Sequence, residues 1–198
     1  MYSPMKNLIR NFSILCFFLF VNKLLAQDFD AATSPLFDRA EAQLSNSDTI
    51  PDYRSQTKKL KLTGVVYQSD GVTPAKDVII YIEQADENGN FDLRKEGDER
   101  YVFHRSWVKT DEEGRYTFYT FVPGNDRRYN QLQQIYPLVK EPSKDVYAID
   151  TFLFDEDPLL TKSCRKRISK KGDPNRILKL ENKDGLLVAQ HNIVLSAS

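Results

Sequence analysis

The stretch KLKLTGVVY, Lys59 to Tyr67, alternates Leu60, Leu62 and Val66 with Lys59, Lys61 and Thr63. Successive side chains of an extended strand point to opposite faces, so this repeat of two marks a strand with one face in a core and the other in water. Beyond it, DVIIYIEQA (Asp77 to Ala85) is rich in the β-branched residues that favour strands, and QSDGVTPAK between the two carries the Asp-Gly and Pro of a turn. The same period recurs in RYTFYTFVP (115–123), IYPLVK (135–140), VYAIDTFLF (146–154), RILKLEN (176–182) and LLVAQHNIVL (186–195), each bounded by Gly, Pro, Asn or Asp. These segments predict an all-β chain, an antiparallel β-sandwich of about eight strands. No stretch of helical period is long enough to demand a major helix. The basic run KSCRKRISKKG (162–172) follows DEDP and has no interleaved aromatics, so it reads as a solvated loop rather than a nucleic-acid site.

A chain of 198 residues has room for one well-buried domain. Lys plus Arg equals Asp plus Glu at 28 each, so no bulk field draws the protein to nucleic acid or an anionic membrane. Residues 1–26 read as a signal peptide: Lys6 and Arg10 precede an apolar run from Phe12 to Val21, and Ala26 offers a small residue at the cleavage site. The run is well short of the ~20 residues that cross a bilayer, so the expectation is export to the periplasm or exterior with no membrane span after cleavage. Cys16 would be removed, and Cys164 alone cannot form an internal disulfide. Residues 27–58 are polar and aperiodic, a leader into a domain spanning 59–198.

Several phrases accumulate: KLTGVVYQSDGVTPAKDVIIYI, HRSWVKTDEEGRYTFYTFVPG, FLFDEDPLLT and ILKLENKDGLLVAQHNIVL. Together, over roughly residues 50–195, they resemble the short single-domain relatives of the intradiol ring-cleavage dioxygenases. The first two phrases also resemble carboxypeptidase-regulatory-like and other transthyretin-like sandwiches, which bind carbohydrate or protein. In active intradiol enzymes the resemblance implies a ferric ion held by two tyrosines and two histidines, cleaving a catechol with O2. Hard phenolates stabilise Fe(III), and the two histidines at i and i+2 share one strand face.

Laid on this chain without gaps from Pro123-Gly124, the histidine positions fall on Gln134 and Tyr136 and one tyrosine position on Asp126; the earlier tyrosine, after the DENGN turn, falls on Phe91, with Tyr101 the alternative because the segment from Phe91 to Arg105 is shorter than in the family. The arginine that steadies substrate charge falls on Gln131. No catalytic, cofactor or metal residue survives on this reading. The chain's two histidines, His104 and His191, fall outside the pattern. The expectation is a binding or structural module that has lost ferric iron and ring cleavage, its former cavity open to a small polar, aromatic or sugar ligand. The rival is an active Fe(III) dioxygenase with a rearranged ligand set. No Ser/His/Asp order, phosphate loop or zinc spacing is present.

Overall fold

In a computed structural model describing residues 34–196, the opening stretch becomes β2 (Lys59–Tyr67), the central strand of the first sheet. Leu60, Leu62 and Val66 are fully buried on one face, as the alternation requires. β7 (Arg115–Phe121) pairs antiparallel along one edge of β2. The other edge is taken by β13 (Leu186–Gln190) and β14 (Ile193–Val194), both parallel to it. β1 (Ser47–Thr49) lies beyond β7, and β12 (Glu181–Lys183) beyond β13.

The second sheet runs β11 (Ile177–Leu178), β10 (Phe152–Phe154), β8 (Gln134–Lys140), β3 (Ile79–Gln84) and β6 (Arg105–Lys109), with β9 (Tyr147–Ala148) on β8. β4 (Leu93–Glu96) and β5 (Glu99–Val102) form a separate hairpin. Between the two large sheets Ile80, Ile82, Tyr116, Phe118, Ile135, Val139, Phe152 and Phe154 are buried with the apolar face of β2. At roughly 1.5 to 3 kcal/mol for each large side chain removed from water, this inter-sheet layer dominates the stability of the fold.

The all-β sandwich matches the expectation from sequence, but its details differ. The described residues hold fourteen strands rather than about eight, because short edge strands such as β1, β4, β5 and β6 carry too few residues to establish a period. Pairing is mixed: β1 with β7, β10 with β11, and β13 and β14 with β2 are parallel. Returning from the other sheet, the C-terminal strands reach β2 along its free edge in its own direction.

The basic run is also no loop. Lys162–Lys171 forms helix α1, with the Thr161 side chain accepting from the Cys164 amide at its start, Lys170 and Lys171 in its last turn, and Gly172 at its end. Lys and Arg are good helix formers, and Arg165 anchors the helix to Asp155. Among the described residues no helix is long and apolar enough to cross a membrane.

The supposed signal peptide, residues 1–26, lies outside the described residues, as does the leader up to residue 33. From residue 34 the leader belongs to the sandwich. Leu36 and Leu44 pack with Ile79, Tyr81, Trp107, Leu138 and Val146 on the outer face of the second sheet. Trp107 is 4% exposed and sits in this outer cluster rather than between the sheets, its indole N–H donating to the Pro35 carbonyl at 3.1 Å. β1 joins the two sheets at their margin: the Asp48 carboxylate accepts from the Ser106 hydroxyl at 2.7 Å and the Trp107 amide at 3.1 Å.

Candidate functional site

β8 alternates half-buried and buried residues, with Ile135 and Val139 directed into the core. Gln134 and Tyr136 therefore share the opposite face, as their spacing of two predicts. Three loops close on them. The Asp86–Asn90 turn leads to Phe91, whose ring lies 5.7 Å from that of Tyr136. The chain after Pro123-Gly124 leads to Asp126, whose backbone bridges to Gln131 in both directions at 2.9 and 2.8 Å. Two glycines let the turn and the loop touch. A Cβ on Gly124 would stand 2.4 Å from the Gly89 nitrogen, and Gly89 itself has φ +86°, where a side chain is strained.

The third tether is Asp157, 3% exposed. Its carboxylate accepts from the Asn125 amide at 2.9 Å, the Gln133 backbone at 2.8 Å and the Leu159 backbone at 3.0 Å. One buried acid thus holds the residue before Asp126 and the residue before Gln134. In the sequence FDEDP stands out only as part of the family-like phrase FLFDEDPLLT.

Of the five positions singled out from sequence, four side chains meet. The Tyr136 hydroxyl receives the amide N–H of Gln131 at 3.4 Å and that of Gln134, with the Phe91 ring alongside. Burial holds the Tyr136 phenol above its usual pKa, the two amides pulling against that shift, so it is neutral at physiological pH. Asp126 makes no side-chain hydrogen bond to these four among the described residues. Its carboxylate is bound by Arg128, which also keeps its pKa below the usual range.

Neither histidine joins the cluster by any hydrogen bond. His104 is 5% exposed between the rings of Phe103 and Phe121, at 5.2 and 5.1 Å. His191 is 6% exposed against Phe152, with Nδ1 3.1 Å from the Asn175 carbonyl. Burial lowers the pKa of both. A histidine depressed in the folded state is charged more readily when unfolded, so its contribution is whole above the unfolded value of about 6.5 and is lost as pH falls from there toward the folded value. Urea midpoints are therefore expected to drop between about pH 7 and about pH 5, before the carboxylates titrate, and the drop should shrink by about half in His104→Gln or His191→Gln. A flat profile over that window would contradict the assignment.

Beside the cluster lies a cleft of about 690 Å³ on the same outer face. The registers of β3 with β6 and β8 set Arg105, Glu83 and Tyr136 in one row across three strands. Arg105, Glu83 and Tyr81 form the floor, Pro35 and Asp38 of the leader one wall, and the β4–β5 hairpin with Tyr101 the roof. Of this row only Tyr136 stood out in the sequence. IIYIEQ held a usable signal: Tyr81 and Glu83 share the parity opposite to buried Ile80 and Ile82.

Solved structures with the same architecture include the dioxygenase domain of a dioxygenase carbohydrate-binding protein fusion from Streptomyces sp. SirexAA-E. It is 19% identical, with a TM-score of 0.59 over 78% of this chain and 89% of that one. The chain has the intradiol dioxygenase fold. The intradiol ring-cleavage dioxygenase from Tetranychus urticae is similar at a TM-score of 0.55 and 18% identity, over 77% of this chain and 87% of that one. The 3-chlorocatechol 1,2-dioxygenase from Rhodococcus opacus 1CP aligns at a TM-score of 0.56 and 18% identity over 76% of this chain. This chain spans 65% of that enzyme's length. No family model matches the sequence, and no curated protein matches it either. At these identities the likeness defines the fold, and function must be argued from the residues themselves.

Proposed function

We propose that this is an exported intradiol-dioxygenase-fold protein that does not hold ferric iron or cleave catechols, and that it binds a small ligand on the face where its fold relatives carry out chemistry. The observation that carries the reading is the environment of the Tyr136 hydroxyl. It is neutral, hydrogen-bonded by the amides of Gln131 and Gln134, and shielded by Phe91.

That donor set does not fit Fe(III). Phe91 offers nothing, amide oxygens are neutral and weak, and the Asp126 carboxylate is taken by Arg128, so of four ligand positions only the Tyr136 phenol offers an oxygen that iron could ionise. Among the described residues no cluster of three or more His, Cys, Asp or Glu side chains could replace it. The basic-then-apolar character of residues 1–26 supports export, and the lone Cys164 of the mature chain is compatible with an oxidising compartment.

Metal analysis of the purified full chain, with its visible spectrum, tests the reading. The expected result is a colourless protein with far less than one iron per chain. Stoichiometric iron with a tyrosinate charge-transfer band, or turnover of catechol, would overturn it in favour of a dioxygenase with a rearranged ligand set.

A further inference from the structure

We propose that the cleft under the β4–β5 hairpin binds a small organic ammonium ion, with Glu83 receiving its charge and the aromatic and aliphatic walls receiving its body. This rests on the reading of the chain as a ligand-binding protein and names the class of ligand.

The row Arg105, Glu83, Tyr136 carries one matched charge and one unmatched charge. The Arg105 guanidinium is already matched: it pairs with Asp38, stacks over Tyr101 at 3.9 Å and lies 5.0 Å from the Trp107 ring, and its side chain is 13% exposed. Glu83, half-buried in the floor, accepts from the Tyr81 hydroxyl at 2.5 Å, and among the described residues no cation stands within ion-pair distance of it. Its neighbour on the other side, Tyr136, is a neutral phenol. A carboxylate held by one phenol in a concave, partly desolvated floor keeps a field that water screens poorly.

The rest of the lining adds to that field. Among the described residues that line it, Asp38, Glu83, Glu96 and Glu99 face Arg100 and Arg105 as the cations, and the Asp38–Arg105 pair cancels itself. Such a cleft repels carboxylates and phosphates. A neutral polyol would find hydrogen bonds there, but it would leave the Glu83 charge uncompensated.

A second, independent feature concerns shape. Leu93 is 63% exposed although it lines the cleft, and Pro35, Val102 and Tyr101 complete an apolar wall. In a cavity of this size, within the usual ~300 to 1,000 Å³ of small-molecule sites, Leu93 at the mouth gives a ligand body an apolar surface to pack on. An ammonium group attached to an aromatic or aliphatic body satisfies both features at once.

Trp107, the chain's single tryptophan, packs against Tyr81 at 5.2 Å and reports on the floor. Its fluorescence is to be titrated in the full chain with 2-phenylethylammonium, with neutral 2-phenylethanol and with 3-phenylpropanoate. The expected order is ammonium bound about tenfold more tightly than the alcohol, with the carboxylate bound least, and the preference weakened at about 0.5 M salt.

Glu83→Gln retains an acceptor for Tyr81 and is expected to bind ammonium and alcohol alike. The Glu96→Gln/Glu99→Gln double variant, changed only on the hairpin, should lower ammonium affinity about two- to threefold. Equal binding of the alcohol and the ammonium by the wild type, or an intact preference in Glu83→Gln, overturns the ammonium assignment while leaving the iron-free binding protein standing. A response to none of the three probes overturns the cleft as an ammonium site. Iron content and colour decide the underlying reading separately.

Discussion

Replacing Gly64 by alanine is expected to lower folding stability by about 4 kcal/mol or more, or to prevent folding outright. Gly64 lies at the centre of β2, opposite the point where the parallel strands β13 and β14 are interrupted at His191 and Asn192. There the chain comes unusually close. The His191 amide donates to the Thr63 carbonyl at 2.9 Å, the Asn192 side chain accepts from the Val65 amide at 3.0 Å, and the His191 carbonyl accepts from the buried Tyr116 hydroxyl at 2.7 Å. A Cβ on Gly64 would stand 1.8 Å from that carbonyl oxygen and 3.0 Å from the Tyr116 ring.

Relief requires main chain to move in the middle of the core sheet and takes the Tyr116 hydrogen bond with it. Alanine stiffens the unfolded chain by only about 0.4 to 1 kcal/mol, which cannot offset a backbone clash. Urea denaturation of the variant measures the loss. A stability within about 1 kcal/mol of wild type would mean that β2 and the His191 segment do not approach as described.

Asp157→Ala is expected to be nearly as damaging, by about 3 to 5 kcal/mol. Three donors lose their acceptor at once: the Asn125 side chain and the Gln133 and Leu159 amides. They sit where the carboxylate is almost wholly buried, so water recovers little of the loss. Asp157→Asn keeps one acceptor oxygen and should lose less, about 2 kcal/mol. Because Gln133 and Asn125 immediately precede Gln134 and Asp126, the alanine variant should also change the exposure of the Tyr136 ring, read by near-ultraviolet circular dichroism. An alanine variant with an unchanged urea midpoint would show that the three loops are held together by something other than Asp157.

What the sequence determined by itself is the local, periodic part of the protein. Alternation in KLKLTGVVY and RYTFYTFVP assigns faces residue by residue, because a strand's side chains must alternate whatever it pairs with, and Leu60, Leu62, Tyr116 and Phe118 all lie in the core. The same rule placed Gln134 and Tyr136 together on one face of β8. α1 was not read: without an apolar stripe the run looks like a solvated loop, although Thr161 as cap, helix-favouring Lys and Arg, and Gly172 mark a helix.

Tertiary structure alone decided which faces meet. Trp107 is buried by the leader rather than by the opposite sheet, β13 runs parallel to β2, and Arg105 turns to Asp38, leaving Glu83 with no ion-pair partner among the described residues. Gly64 has no local peculiarity at all. Its constraint comes from His191, far along the chain. Pairing, close approach and the matching of charges depend on residues brought together only after the sheets are assembled, and local periodicity carries no information about those partners.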